Sequence, residues 1–306
     1  MQTLALATSI LVCAFATAIV RAQTVLRIDP RHTYLLRSND AVPEPLAISL
    51  SAVGVSPGQV VRMRAVGDWD CGGPCADNGI NTGAVFSNGA TLLPATQRFR
   101  VPGAIDAGCD IVTGPTYFGS LANDIQEDFA VSLGSTSAVT QAAVIVEVPA
   151  NATHVFVCAL DSLYSDNTDP DGDYGVEFTV LAPTVWQTIQ GGVGGTLGEP
   201  MLVPDGELAC GSRIVLSVGN GPANTPVLLV VGLVRIDLPL LGGVLVPDPL
   251  IADLLASTNA AGAADISLLV PVAFPSGTSL YFQAWLPDST APFLLAATDA
   301  LRGIAP

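Results

Sequence analysis

The sequence predicts an all-β protein that consists of two β-sandwich domains of jelly-roll-like type after an N-terminal signal peptide. Short runs rich in β-branched residues recur in both halves, among them "GQVVRMRAVG", "YGVEFTVLA", "PVLLVVGLV" and "SLYFQAWLP". Gly, Pro, Asn or Asp bounds each run, and these turn residues return about every 8 to 12 residues, as in antiparallel sandwiches. One segment, "PDPLIADLLAST", has a helical pattern and is short enough for a single turn.

The N-terminal segment reads as a secretion signal. An apolar run from Leu4 to Val20 precedes "VRA", and we expect cleavage after Ala22. The alternative is a retained membrane anchor, since ~20 apolar residues are enough to cross a bilayer. The expected location is therefore outside the cell or at its surface, with no membrane span after cleavage.

The remaining chain divides into two parts of different amino-acid composition. Residues 23–182 hold most of the cysteines and acids, and residues 196–306 hold few aromatic side chains before "LYFQAWLPD". The join, residues 183–195, lies in a stretch rich in Gly and Pro and reads as a linker.

The net negative charge of the chain argues against some classes of binding partner. It has 11 Arg, no Lys and 27 acidic residues, for a net charge of −16. Nucleic acids and anionic membranes are bound through dense positive charge, so both are unexpected partners. An acidic surface keeps a protein in solution and attracts divalent cations.

Five cysteines remain once the signal peptide is removed. In an exported protein they favour disulfides over metal thiolates. The tight stretch "CGGPC" predicts a bridge between Cys71 and Cys75. Cys109 and Cys158 are then the expected second pair, which leaves Cys210 without a partner.

The most unusual stretch is "YSDNTDPDGDYGVEF", residues 164–178, in which six of fifteen residues are Asp, Glu or Asn. Crowded carboxylates repel each other, and a hard cation such as Ca²⁺, which takes six to eight oxygen ligands, is the usual reason to tolerate them. The oxygen-bearing side chains in and around the stretch are Asp161, Asp166, Asn167, Asp169, Asp171, Asp173 and Glu177.

Three interpretations of this stretch compete. An EF-hand-like loop would begin at Asn167, but Glu177 falls one place short of the bidentate position and "EFTVLAP" is strand-like rather than helical. A loop between strands of a sandwich could instead gather ligands from itself and from a neighbouring loop. The third interpretation is a solvated acidic hairpin without a metal.

Two segments resemble the PA-IL-like, calcium-dependent galactose-binding lectins, which are small β-sandwiches. They are "VSPGQVVRMRAVGDWDCGGP" (55–74) and "VFVCALDSLYSDNTDPDGDYGVEFTV" (155–180). The resemblance implies a Ca²⁺ site whose ligands are Asp161, the backbone carbonyl of Tyr164 or Ser165, the side chains of Asp166 and Asn167, and a carbonyl at or beside Cys71. Residues 169–173 form an insertion relative to the family, and whether Asp169, Asp171 and Asp173 also bind metal stays open.

The resemblance further implies that the ligand is a galactose-like glycan. Two vicinal sugar hydroxyls would replace water on the cation. The expected sugar-binding residues are Trp69, Asp70, Asp161, Asp166 and Asn167. Trp69 could form an aromatic wall for the sugar or be a core residue.

No catalytic motif is expected, and the protein is interpreted as a binding protein rather than an enzyme. His32 and His154 lie outside any HExxH motif, and the chain has no GxSxG nucleophile elbow. A secreted hydrolase that uses the acids of "LANDIQEDF" is the weaker alternative. The other alternative is a structural cell-surface protein in which Ca²⁺ only stabilises a loop.

The C-terminal half resembles a module that ends many secreted proteins of planctomycete-like bacteria. The resemblance rests on "PLLGGVLVPDPL", "FPSGTSLYFQAWLPDSTAPF" and "ATDALRGIAP". It implies a structural or surface-attachment role and no chemical site. A homo-oligomer is a further state that the sequence leaves open.

Overall fold

The structure, a computed structural model, describes residues 23–35, 47–72, 78–109, 125–161, 163–270 and 274–306. The predicted signal peptide lies outside these ranges. Strands account for 48% and helices for 4%, and the described residues contain no helix of seven or more residues. The predicted all-β class is confirmed.

The N-terminal half contains ten strands in the described ranges. They are β1 Gln23–Arg27, β2 Ile48–Ser49, β3 Val60–Val66, β4 Thr82–Ser87, β5 Ala104–Ile105, β6 Phe129–Ser135, β7 Ala138–Gln141, β8 Val144–Glu147, β9 His154–Ala159 and β10 Gly175–Val180. Short 3₁₀ turns at Leu50–Val53 and Tyr164–Asp166 interrupt the connections.

These strands form two antiparallel sheets with the orders β1-β10-β3-β8 and β2-β9-β4-β6-β7, with β5 beside β4. Alternation along the strands explains how the sheets pack: in β3, Val61 and Met63 are buried while the Arg residues between and after them are more exposed. Val61 and Met63 meet Phe86 of β4 and Phe129 of β6 in one core cluster. The two sheets therefore enclose one hydrophobic core, as in a sandwich.

The C-terminal half contains eleven strands in the described ranges. They are β11 Val185–Ile189, β12 Met201–Asp205, β13 Arg213–Gly219, β14 Pro226–Gly232, β15 Arg235–Leu240, β16 Gly243–Pro247, β17 Ile251–Ser257, β18 Ala264–Leu269, β19 Ser279–Pro287, β20 Leu295–Ala297 and β21 Ala300–Ile304. A 3₁₀ turn lies at Pro292–Leu294.

A large sheet of order β11-β21-β19-β14-β17, with β20 beside β19, faces a smaller sheet of order β12-β13-β18. Leu216 of β13 and Ile266 of β18 pack with Leu229 of β14 and Phe282 of β19. β15 and β16 form a separate hairpin.

Two segments differ from the sequence expectations in this half. The segment with a helical pattern forms β17 instead, and its backbone is hydrogen-bonded to β14 at the edge of the large sheet. The range predicted to be a linker contains β11, which pairs with β21 along its whole length.

The predicted disulfide between Cys109 and Cys158 is wrong. Cys109 is bonded to Cys210, and Cys158 is a free, buried cysteine inside β9. The backbone explains the pairing: the N–H of Cys210 donates to the carbonyl of Ile145 in β8, which brings the C-terminal half against the N-terminal sandwich. Cys71 is also disulfide-bonded, and its predicted partner, Cys75, lies outside the described residues.

Within the described ranges, no helix has the length and apolar character that crossing a membrane requires.

Candidate metal centre

The register between β3 and β10 determines the position of the acidic loop. β3 and β10 are antiparallel neighbours in which Val66 pairs with Gly175, so the turn that leaves β3 and the loop that enters β10 lie at the same end of the sheet. Asp70 and Thr168 then form an isolated bridge, with N–O distances of 2.8 Å and 2.9 Å. The early turn and the acidic stretch are thus held together by backbone hydrogen bonds.

Asp166 lies against this early turn. A Cβ atom built on Gly72 would be 2.7 Å from Asp166 Oδ2, so a side chain at position 72 would displace that carboxylate. Asp70 is occupied inside the turn, because its Oδ1 accepts a hydrogen bond from the N–H of Gly72 at 2.9 Å. Asp70 therefore shapes the turn that faces the acidic loop.

Three carboxylates of the loop gather into one group. Oxygens of Asp169, Asp171 and Asp173 all lie within 4.8 Å of one another. These are the three side chains whose role the sequence leaves open, and their Asp-x-Asp-x-Asp spacing is the signal that marks them. Asp161 and Asp166 do not belong to this group.

The loop backbone partly neutralises this group. Asp169 accepts hydrogen bonds from the N–H groups of Gly172, Asp173 and Tyr174 at 3.0 to 3.1 Å. Asp173 accepts one from the N–H of Asp68 at 3.0 Å, across from the other loop. The N–H dipoles offset part of the repulsion among the carboxylates and fix where the carboxylates point.

Asn167 carries the clearest sign of a missing partner. Its side chain is 1% exposed, and its Nδ2 donates to the carbonyl of Pro30 at 3.1 Å. Its Oδ1 is buried and has no hydrogen-bond partner among the described residues. A flipped amide would set two oxygens against each other at Pro30, so the orientation is fixed by chemistry. A buried acceptor without a partner is rare and needs an explanation.

A surface cleft opens beside Asn167. Its volume is about 360 Å³, and its lining consists of Asp29, Pro30, Arg31, Asn167, Thr168 and Asp169. The cleft is therefore lined both by Asp169 of the carboxylate group and by Asn167, whose amide oxygen lacks a partner among the described residues. The sequence alone gave no reason to include residues 29–31, because they adjoin the loop only through the fold.

Tyr164 and Asp161 are neighbours at the start of the loop, where Asp161 is half-buried. The Tyr164 side chain is fully buried, and burial raises the pKa of its hydroxyl well above the usual range. The N–H of Asp161 donates to this hydroxyl at 3.4 Å. The Tyr164 side chain therefore supports the start of the loop, and the residue's backbone carbonyl remains the group that the resemblance nominates.

The expectation that Trp69 forms a wall for a sugar is wrong. Trp69 is 3% exposed and packs against Tyr174, with ring centroids 6.4 Å apart. Its backbone pairs with Gly79, whose own close approach covers the indole ring. The alternative of a core tryptophan is the one observed.

Glu177 does not belong to the metal centre. It lies on β10, buried beneath Arg64 and Arg62 of β3, and Arg64 donates two hydrogen bonds to it at 2.8 Å and 2.7 Å. These bonds lower the pKa of Glu177 to about 2. A strand rather than a helix follows the loop, so the EF-hand interpretation is wrong.

The acids considered for hydrolysis are Asp124, Glu127 and Asp128. Asp124 lies outside the described residues, and Asp128 is buried, with Tyr34 donating a hydrogen bond to it at 3.3 Å. Burial also raises the pKa of Tyr34, so its hydroxyl stays protonated.

No protein-family model, curated protein or solved structure matches this chain significantly. The resemblance to PA-IL-like lectins therefore stays a prediction that rests on the residues quoted above.

Proposed function

We propose that the N-terminal sandwich is an exported, calcium-dependent carbohydrate-binding module whose metal centre is the loop at residues 166–173. The observation that carries this proposal is the buried, unpartnered Oδ1 of Asn167, a residue that lines the same cleft as Asp169. A buried acceptor oxygen can coordinate a hard cation, and the carboxylate group of Asp169, Asp171 and Asp173 follows it closely in the chain.

Calcium fits this donor set better than other metals do. The available groups are carboxylates, one amide oxygen and backbone carbonyls, and hard oxygen donors suit Ca²⁺ and Mg²⁺ rather than Zn²⁺ or copper. A loop of irregular geometry suits Ca²⁺ in particular, because its coordination number and angles are flexible. Bound Ca²⁺ would supply positive charge and open positions for hydroxyl oxygens.

The carbohydrate part of the proposal rests on the cleft. A module that binds sugar through calcium needs space beside the cation, and the cleft supplies about 360 Å³ next to Asn167 and Asp169. Since Trp69 is buried, the sugar would contact the polar residues of the cleft rather than an indole face.

A structural calcium site is the second candidate. The observation in its favour is that Asp169 accepts three backbone hydrogen bonds from its own loop. These bonds hold the loop in its conformation, which is the role of a structural site. In that case protein and water would fill every coordination position, and the protein would serve as a surface scaffold together with its C-terminal half.

A thermal unfolding experiment on the exported chain tests the proposal. Melting is followed in EDTA and in Ca²⁺, each with and without galactose. A ligand that binds only the folded state raises the midpoint by mass action. A rise with Ca²⁺ and a further rise with galactose only when Ca²⁺ is present supports the binding module. A rise with Ca²⁺ to which galactose adds nothing favours the structural site. If Ca²⁺ does not raise the midpoint, the proposed metal centre is wrong.

A further inference from the structure

The cleft beside the proposed metal centre contains a positively charged side chain that has no part in binding the metal. Arg31 lines the cleft together with Asn167 and Asp169. The chain carries only 11 positive side chains, all Arg, against 27 acids. An Arg on the wall of an otherwise acidic cleft is therefore a feature that calls for a role.

Asp29 holds Arg31 in one orientation. Arg31 Nε donates to Asp29 Oδ1 at 2.9 Å and Nη2 donates to Oδ2 at 2.6 Å. The N–H of Arg31 also donates to Asp29 Oδ1 at 3.0 Å. This fork-to-carboxylate geometry uses one edge of the guanidinium and fixes its plane.

The other edge remains available. Nη1 of Arg31 has no acceptor among the described residues, and the side chain is 46% exposed. Pro30, which follows Asp29, is itself fixed by the hydrogen bond from Asn167 to its carbonyl. The arginine and the amide oxygen that lacks a partner are thus held by one short segment.

We propose that the ligand of this cleft is an acidic saccharide, a uronic acid unit whose carboxylate is bound by Arg31 while its hydroxyls reach the cation at Asn167 and Asp169. This inference rests on the proposed function. A carboxylate matches the planar donors of a guanidinium, whereas a neutral sugar leaves the charge of Arg31 unused. Asp29 and Arg31 together are neutral, so this side of the cleft adds no net negative charge and presents the free guanidinium edge to the ligand carboxylate.

The test compares galacturonate with galactose at saturating Ca²⁺ and fixed ionic strength, by isothermal titration calorimetry on the full exported chain. The variant is Arg31→Gln. Its matched control is Arg235→Gln in the C-terminal half, because Arg235 makes the same kind of pair with Asp237, two residues further on.

We expect galacturonate to bind more tightly than galactose. Arg31→Gln should weaken galacturonate binding about tenfold, the loss of one charge-assisted interaction, and should weaken galactose binding by a clearly smaller factor, so that the preference for galacturonate is lost. Arg235→Gln should bind both sugars as the wild type does. The calcium-induced rise in melting temperature should be the same in all three proteins.

Equal affinity for the two sugars, or an unchanged preference in Arg31→Gln, overturns this inference and leaves the carbohydrate-binding proposal standing. Failure of both sugars to bind while Ca²⁺ still stabilises the protein overturns the carbohydrate-binding proposal and this inference with it.

Discussion

Asp70 and Thr168 each donate a backbone hydrogen bond to the other, although they belong to opposite halves of the N-terminal sandwich sequence. The contact joins the turn after β3 to the loop before β10. It exists because β3 and β10 are hydrogen-bonded neighbours whose connecting loops leave the sheet at the same end. The bridge therefore makes one polar site from two segments that are distant in sequence.

Replacement of Asp169 should reduce the calcium response. Asp169→Asn removes one negative charge from the three-carboxylate group but keeps an oxygen for the loop N–H groups. For the wild type, Ca²⁺ at about 100 times its Kd contributes about 2.7 kcal/mol, which corresponds to a rise in Tm of roughly 5 to 10 °C. The rise should be at least halved in the variant, as measured by calorimetry.

The control for this variant is Asp205→Asn, which makes the same change of charge on an exposed residue of β12. Its calcium response should equal that of the wild type. If Asp169→Asn keeps the full response, the group at residues 169–173 is not the metal centre.

A side chain at Gly67 should disturb the acidic loop from the other side. Gly67 has φ of +66°, and a Cβ there would lie 1.9 Å from Asp173 Oδ1. Gly67→Ala should displace Asp173, lower stability by about 1 kcal/mol or more from backbone strain alone, and weaken the calcium response. Gly58→Ala is the matched control, since Gly58 also has positive φ but open space at its Cβ position.

Chemical denaturation with and without Ca²⁺ separates the two effects in Gly67→Ala. Both glycine variants should lose stability, and only Gly67→Ala should lose calcium-induced stabilisation as well. Equal calcium responses in the two would show that Asp173 does not contribute to the site.

The pair formed by Glu177 and Arg64 should make the N-terminal sandwich sensitive to acid. The folded-state pKa of Glu177 is lowered to about 2, so its contribution is fully present above the unfolded pKa and is lost as pH falls from about 5 towards 2. Because Arg64 is 45% exposed, solvent screens the pair, and we expect about 1 to 3 kcal/mol at pH 7.

Glu177→Gln should therefore be less stable than the wild type at pH 7, and the difference should shrink as the pH approaches 2. Urea denaturation at several pH values measures it. Glu147→Gln on β8 of the same sheet is the control for the loss of a carboxylate from this sheet. A constant difference between wild type and Glu177→Gln at all pH values would contradict the assignment.

Peptide mapping should find Cys109 linked to Cys210. Digestion without reductant should release one linked peptide pair that contains these two cysteines, and Cys158 should react with an alkylating reagent only after unfolding, because it is buried. Burial also raises the pKa of the Cys158 thiol to about 12, which keeps it in its unreactive form. A peptide that links Cys109 to Cys158 would contradict the structure.

Removal of this disulfide should lower stability. Cys109 and Cys210 are separated by 101 residues, and a loop of that size gives a stabilisation of about 2 to 5 kcal/mol. The double variant with Ser at both positions should unfold at lower denaturant concentration. Cys158→Ala serves as a control for the loss of a cysteine without the loss of a crosslink.

The sequence by itself determined the all-β class and most strand positions, because alternation and turn residues are local properties of the chain. It also marked the acidic loop, since the crowding of Asp169, Asp171 and Asp173 is visible without a fold. The segment that forms β17 shows the limit of local pattern: its apolar spacing suits a helical turn, and pairing with β14 decides the outcome.

Only the tertiary structure decided which segments meet. Docking of the C-terminal half against β8 brings Cys210 to Cys109 and leaves Cys158 inside a strand. Packing of Trp69 against Tyr174 removes the indole from the surface, and the position of residues 29–31 creates the cleft at Asn167. These contacts join residues that are far apart in the chain. They are stabilised by burial of side chains and by the pairing of strands across sheets, and neither can be read from a short stretch of sequence.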